Sequence, residues 1–154
     1  MKRLSTCCLI AAACFSFVPA SAGAATTAPA TSVCGGIPVR YALRLEGSTV
    51  AQAAGMTEKD NGTKADSAIT LTRIPNARME LSLWRQAVLT GDLAAARKNA
   101  DIWVYDKSGH QLERISLVMA WPSALVTNKP TVNGAQRLQE TIVLTFESEQ
   151  KTCG

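Results

Sequence analysis

The segment Leu138 to Phe146 (LQETIVLTF) places Leu138, Ile142, Leu144 and Phe146 on one side of an extended chain. Gln139, Thr141, Val143, Thr145 and Glu147 fall on the other. Side chains of a strand alternate between its two faces, so this period of two predicts one buried face and one wet face. A sheet of such strands must cover its apolar side with a second layer. The stretch VRYALRLEG repeats the pattern: Val39, Tyr41, Leu43 and Leu45 alternate with Arg40, Ala42 and Arg44. Further strands are predicted at Ala68 to Ile74 and at Asp101 to Asp106, where β-branched and aromatic residues gather between turn signals. Gly47-Ser48 reads as a hairpin turn, with a weaker return strand over Thr49 to Ala54. Thr57 to Asp66 is polar, contains Asn61-Gly62 and reads as an exposed loop.

The same chemistry orders the rest. Asp106 to Gly109 makes a turn with glycine last. His110 to Trp121 is the partner strand, with a bulge expected between Leu112 and Ile115 because the alternation slips there. Trp121-Pro122 is expected to end it, and Lys129 to Gly134 reads as a loop. One segment breaks the β pattern. From Ala77 to Thr90, Met79, Leu83, Trp84, Ala87 and Val88 recur at helical spacing, with Asn76 as N-cap and Gly91 as terminator. Leu93 to Lys98 adds a short helical turn. The fold class that follows is mainly β (α+β): an antiparallel β-sandwich or partial barrel with one flanking amphipathic helix.

The N-terminus carries an address. Lys2 and Arg3 precede an apolar run from Cys7 to Val18. Pro19 then leads to Ala20-Ser21-Ala22, small residues of the kind a signal peptidase reads. Spanning a membrane takes ~20 apolar residues, more than this run offers. Residues 1–22 are therefore expected to be a signal peptide cleaved after Ala22, or alternatively after Ala24. Continuation of the run past Cys14 argues against a lipoprotein site there. Residues 23–36 form a flexible leader of small and polar residues, and residues 37–154 the folded domain.

Cleavage removes Cys7, Cys8 and Cys14 and leaves Cys34 and Cys153. In an exported protein such a pair favours one intramolecular disulfide over free thiols or bonds between chains. It would tie the start of the domain to its end. Closing a loop of ~100 residues is worth ~4.7 kcal/mol in the chain-entropy description. The expected compartment is the periplasm or the exterior of a bacterial cell.

Charge is nearly balanced. Lys2 and Arg3 are two of 16 basic residues, so the remainder exceeds the 12 acidic residues by two. No basic block calls for nucleic acid. Nor does any catalytic constellation stand out. His110, the only histidine, follows a turn and reads as an exposed turn residue. The serines lack a visible histidine-and-acid pairing, and no phosphate loop or zinc motif is present. Two cysteines and one distant histidine do not make a metal site. We therefore expect no enzyme, no cofactor and no metal. Trp84 and Trp121 read as core, whereas Trp103 opposes Ile102 and Val104 and faces outward.

From residue 68 to about 149 the chain resembles the tail-tube proteins of contractile-tailed phages and related injection machines. The matching segments run in order. They are AITLTR, ELSLWRQAVLTG with its Glu-Leu-Trp-like helix, the hairpin RKNADIWVYDKSGHQLERISLVMAWP, and the closing strand LQETIVLTFES. Within the hairpin, Arg97-Lys98-Asn99 is the entry, Asp106 to Gly109 the turn and Ala120-Trp121-Pro122 the exit. Glu140, Thr141 and Leu144 carry the closing pattern. The resemblance implies structural work. Six copies would form a ring whose strands line a channel, rings would stack into a tube, and the Thr/Gln face of Leu138 to Glu147 would meet the lumen. The chain's expected partner is itself, as a homo-hexameric ring, with no membrane span once the signal is removed. The alternative is a monomeric exported module that reuses the fold to bind an envelope or extracellular partner.

Overall fold

The computed structural model describes residues 34–59, 67–73, 75 and 79–154. The expected signal peptide, most of the leader, the Asn76 cap and the Asn61-Gly62 segment lie outside these residues. Twelve elements follow in order: β1 (Arg40–Leu45), β2 (Ser48–Ala53), β3 (Gly55–Lys59), β4 (Ala68–Arg73), α1 (Met79–Thr90), α2 (Leu93–Ala96), β5 (Lys98–Tyr105), β6 (Gln111–Asn128), β7 (Thr131–Val132), β8 (Ala135–Gln136), β9 (Gln139–Thr145) and β10 (Ser148–Cys153). The protein is mainly antiparallel β, with helices against the strands, as the alternation predicts.

Two sheets share one long strand. The first has the order β2-β1-β5-β6-β10, and the second has β6-β9-β4-β3. The first half of β6 pairs β5 and β10, and its second half pairs β9. On the opposite side only Ala54 separates β2 in the first sheet from β3 in the second, and its N–H donates to the Thr72 carbonyl at 3.0 Å. The sandwich is thus joined by continuous chain along both sides.

The interior is filled as alternation dictates. Leu43, Ile102, Ile115 and Leu117 from the first sheet meet Ile69, Leu71, Ile142 and Leu144 from the second, all fully buried. Burying one such side chain stabilises the fold by ~1.5–3 kcal/mol. Leu81 and Trp84 of α1 close over this core.

Several expectations are corrected. The β1–β2 turn is centred on Glu46-Gly47, at φ 50° and 82°, one residue earlier than predicted. Two consecutive positive φ values suit the twist of a tight hairpin, and glycine tolerates the second without strain. Thr57 to Lys59 is not loop but the end of β3, a polar edge strand paired only with β4. The buried face of α1 is Leu81 and Trp84, while Met79 and Leu83 point outward. Their spacing fits a helical stripe equally well, and the strands beneath select which stripe is covered.

β6 does not stop at Trp121-Pro122. Pro122 pairs with Leu144, next to a register shift before Ala124. Proline has no N–H to contribute, so it is tolerated at an irregular point of a ladder. The Pro122 carbonyl accepts from Arg85 Nη1 at 2.9 Å. Just upstream, Met119 has φ 52° and its N–H donates to Asn99 Oδ1 at 3.2 Å. These two irregularities lie where β6 passes from one sheet to the other. The bulge expected before Ile115 is present: Val104 pairs with Glu113 and Tyr105 with Gln111, leaving Leu112 as the extra residue.

Lys129 to Gly134, expected as loop, forms most of the β7–β8 hairpin. It turns through Asn133-Gly134 at φ 51° and 78°. Leu138 is exposed, and Glu140 takes the next place on the core face of β9. β10, which alternation does not mark, pairs with β6 from Val118 to Glu113 through its backbone ladder, to which Thr152 adds one side-chain bond to the Arg114 carbonyl.

Candidate assembly surfaces

Cys34 and Cys153 lie with their sulfurs in bonding contact and their Cα atoms 5.3 Å apart. The C-terminus is held there a second way, since the Gly154 N–H donates to the Leu112 carbonyl at 2.9 Å. Gly36, at φ 82°, packs so closely on the Leu112 side chain that an added Cβ would lie 2.8 Å from it. The leader's end, the β6 bulge and the end of β10 thus meet at one corner.

Nearby, Lys151 of β10 forms an ion pair with Glu58 of β3, linking the edges of the two sheets. Its ammonium is held above the ordinary lysine value. Partial burial acts against this, but the hydrogen bond and charge of Glu58 outweigh it, with Glu149 and Glu113 adding to the effect. Tyr41, buried behind them, is raised first by burial and then by the charges of Glu58 and Glu113.

The outer face of the first sheet is built of arginine and aromatic rings. Register places Arg40 against Tyr105, Ala42 against Trp103 and Arg44 against Asp101. The Arg40 guanidinium lies 4.7 Å from the Tyr105 ring centre, and that of Arg44 4.2 Å from Trp103. The two rings lie 6.4 Å apart. Arg114 grips Asp101 with two hydrogen bonds of 3.0 and 2.9 Å, and Ser116 adds one of 2.8 Å. The Asp101 carboxyl sits below its ordinary value. Partial burial acts against this, and the hydrogen bonds from Arg114 and Ser116 override it. Trp103 faces outward, as its place between the buried Ile102 and Val104 requires. Stacked arginine and aromatic groups are the residues most enriched in protein contact surfaces.

The outer face of the second sheet is different. Thr70, Thr72, Thr141, Val143 and Thr145 pair across β4 and β9 and are partly exposed. This is the Thr-rich face that alternation predicts for the closing strand. Glu147, beyond it, pairs with Arg97 at 2.8 Å, and Arg97 in turn lies 5.1 Å from the Trp121 ring. Trp84 is core: its indole N–H donates to the Ala96 carbonyl at 2.5 Å and so locks α1 to α2. Trp121 is half-buried beneath Arg97.

A third surface is an open groove of about 380 Å³ between α1 and the β1–β2 hairpin. Leu45, Val50, Leu83 and Ala87 form its floor and wall, with Glu46 and Glu80 on its margin. Among the described residues no group of histidine, cysteine and carboxylate side chains is placed to hold a metal ion. His110 is 83% exposed, 3.5 Å from Asp106, whose carboxylate accepts the Ser108 and His110 N–H groups and so organises the turn. No described helix is long and apolar enough to cross a membrane.

Sequence reasoning finds Trp103 but misses the arginine ladder and the groove. Arg40 and Arg44 are visible as one face of β1, but their ring partners depend on the β1–β5 register, which lies more than fifty residues away in the chain.

Residues 42–150 match the family described as T4-like virus tail tube protein gp19. No curated protein matches the chain. Among solved structures, the sheath–tube complex of the extracellular contractile injection system PVC, in its extended state, contains a similar chain. It is 13% identical, has a TM-score of 0.55, and the match covers 75% of this chain and 90% of that one. Hcp1 from Flavobacterium johnsoniae is 13% identical with a TM-score of 0.51, covering 74% and 95%. A chain of the anti-feeding prophage tube-terminating cap is 16% identical with a TM-score of 0.51, covering 84% and 99%. At these identities the likeness is one of fold.

Proposed function

The chain belongs to the T4-like virus tail tube protein family, and on that premise we propose that it is an exported structural protein that associates with further copies of itself into rings or tubes outside the cytoplasm. The observation that carries this reading is the family match across residues 42–150, which takes in nearly every strand and both helices. Three physical features support it. The arginine–aromatic face, the apolar groove and several exposed leucines give the subunit more contact surface than a solitary domain needs. Two chemically distinct outer faces suit a subunit with one side toward neighbours and one toward a channel. The Thr-rich side is assigned to the lumen.

Six copies per ring is the number that the family resemblance suggests. A closed ring is built from one heterologous contact repeated around an axis. Export rests on the Lys2 to Ala22 pattern, and the Cys34–Cys153 pair fits an oxidising compartment. The role is structural, and no residue is assigned to catalysis.

The test is the mass of the mature protein from Gly23 onward, by light scattering with electron microscopy of the same fractions. Rings or longer assemblies are expected. A monomer at every concentration and salt would overturn self-association and favour a monomeric exported binding module. N-terminal sequencing of protein from the periplasm or medium should begin at Gly23 or Ala25. Recovery of an intact Met1 terminus only from the cytoplasm would overturn export.

A further inference from the structure

Two features remain unused by the fold, and they complement each other. The first is the β7–β8 hairpin, which is paired only with itself and is closed at its base by the Arg137 N–H donating to the Pro130 carbonyl at 3.1 Å. Val132 near its tip and Leu138 at its base are 47% and 45% exposed. Lys129 and Arg137 flank it, and no acidic residue lies between Asn128 and Gln139. The hairpin is a basic projection that turns through Asn133-Gly134 and carries the exposed Val132 just before its tip.

The second is the groove beside α1. Leu83, on its wall, is 60% exposed, and its floor is Leu45, Val50 and Ala87. Its margin carries Glu46 and Glu80, with Lys98 engaged by Glu46 at 3.3 Å. The groove is an apolar slot whose rim holds two carboxylates and one ammonium, a net negative charge carried chiefly by Glu80. Apolar surface gathered in one groove, here the exposed Leu83 over Leu45, Val50 and Ala87, is favourable to remove from water.

The two features are far apart on one subunit. Trp121 lies beneath Arg97, next to the groove residue Lys98, and β6 then runs seven residues to Asn128, where the hairpin begins. At ~3.3 Å per residue that is about 23 Å along the strand. A knob and a slot on different parts of one subunit, opposite in charge and alike in polarity, define a head-to-tail contact, which extends into a ring or a stack.

We infer that the β7–β8 hairpin of one copy seats in the α1 groove of the next, with Val132 against Leu83 and with Lys129 and Arg137 toward Glu80 and Glu46. This rests on the self-association proposed above and names the surfaces that carry it. Charge on the margin steers and orients the contact, and burial of Val132 against Leu83 supplies its affinity.

The test uses Val132→Asp and Leu83→Asp in the mature protein. Both positions are exposed, so folding should be retained, which circular dichroism checks. Each variant alone should form a smaller species than the parent by light scattering. Val132→Asp keeps an intact groove and Leu83→Asp an intact hairpin. An equimolar mixture should therefore give a species of twice the mass of either variant, and nothing larger. Lys129→Glu with Arg137→Glu should raise the concentration needed for assembly at least tenfold, and adding Glu80→Lys should recover part of it. If both aspartate variants assemble like the parent, this contact is wrong while self-association stands. If the parent itself is monomeric, both ideas fall.

Discussion

Arg73 on β4 and Glu140 on β9 stand directly opposite each other, and their side chains form an ion pair inside the sandwich, with only 2% and 11% of the side-chain surfaces exposed. Each charge loses most of its hydration, so the pair survives because each partner compensates the other. Removing one partner should cost far more than removing both. Glu140→Ala is expected to destabilise by about 3–5 kcal/mol in urea unfolding, since it takes the counter-charge from a buried guanidinium. Arg73→Met combined with Glu140→Leu should recover most of that loss. A single variant as stable as the parent would show that water already reaches the site.

Trp84 joins the helices to the core in two ways, through burial of its ring and through the bond from its indole N–H to the Ala96 carbonyl. Trp84→Phe keeps most of the apolar volume and leaves the Ala96 carbonyl unmet, a loss of about 1–3 kcal/mol. Trp84→Ala adds a cavity and should cost about 3–5 kcal/mol. Equal losses in the two variants would mean that the ring volume contributes little.

The Cys34–Cys153 link spans 119 residues. Cross-links that close long loops restrict the unfolded chain most, and removing one from a small disulfide-bonded domain typically costs about 2–5 kcal/mol. Cys34→Ser with Cys153→Ser should melt at a lower temperature than the oxidised parent, and reductant should bring the parent down to meet it. An unchanged melting temperature in both comparisons would count against a stabilising bond.

Asp101 sets an acid dependence whose sign follows from its depressed pKa. A carboxyl held below its ordinary value of 3.8 in the folded protein contributes stability that is present above that value. The contribution is lost as pH falls through the lower folded pKa. Melting temperature should therefore drop below about pH 4 more steeply in the parent than in Asp101→Asn. The difference should be small, because Asp101 is partly exposed and solvent screens the pair. Parallel acid limbs would remove Asp101 from the cause.

Most of the architecture is legible along the chain. The alternation in β1, β4, β5 and β9 and the single helical interval at α1 lead directly to an antiparallel sandwich with helices against it. The slipped alternation at Leu112 marks a real bulge. What escapes is of one kind. β10 has no apolar alternation because its ladder with β6 uses backbone groups, which every residue carries. β3 is hidden for the same reason. Pro122 reads as a stop because a proline normally ends a ladder, and only the bend of β6 between two sheets gives it a tolerated place.

The candidate surfaces divide along the same line. Trp103 is outward because Ile102 and Val104 must face in, and the threonines of β9 are outward because Ile142 and Leu144 must face in. These are consequences of period two within one strand. The ladder of Arg40, Tyr105, Arg44 and Trp103, the buried Arg73–Glu140 pair and the groove beside α1 depend on which strand lies beside which, and at what register. Local sequence cannot encode that, because a helix with two apolar stripes does not say which one is covered. Leu81 and Trp84 went inward and left Met79 and Leu83 to solvent once the strands beneath had chosen a side. The alternation therefore determined what the protein is made of, and the meeting of distant strands decided which of its apolar and charged groups remain available to a neighbour.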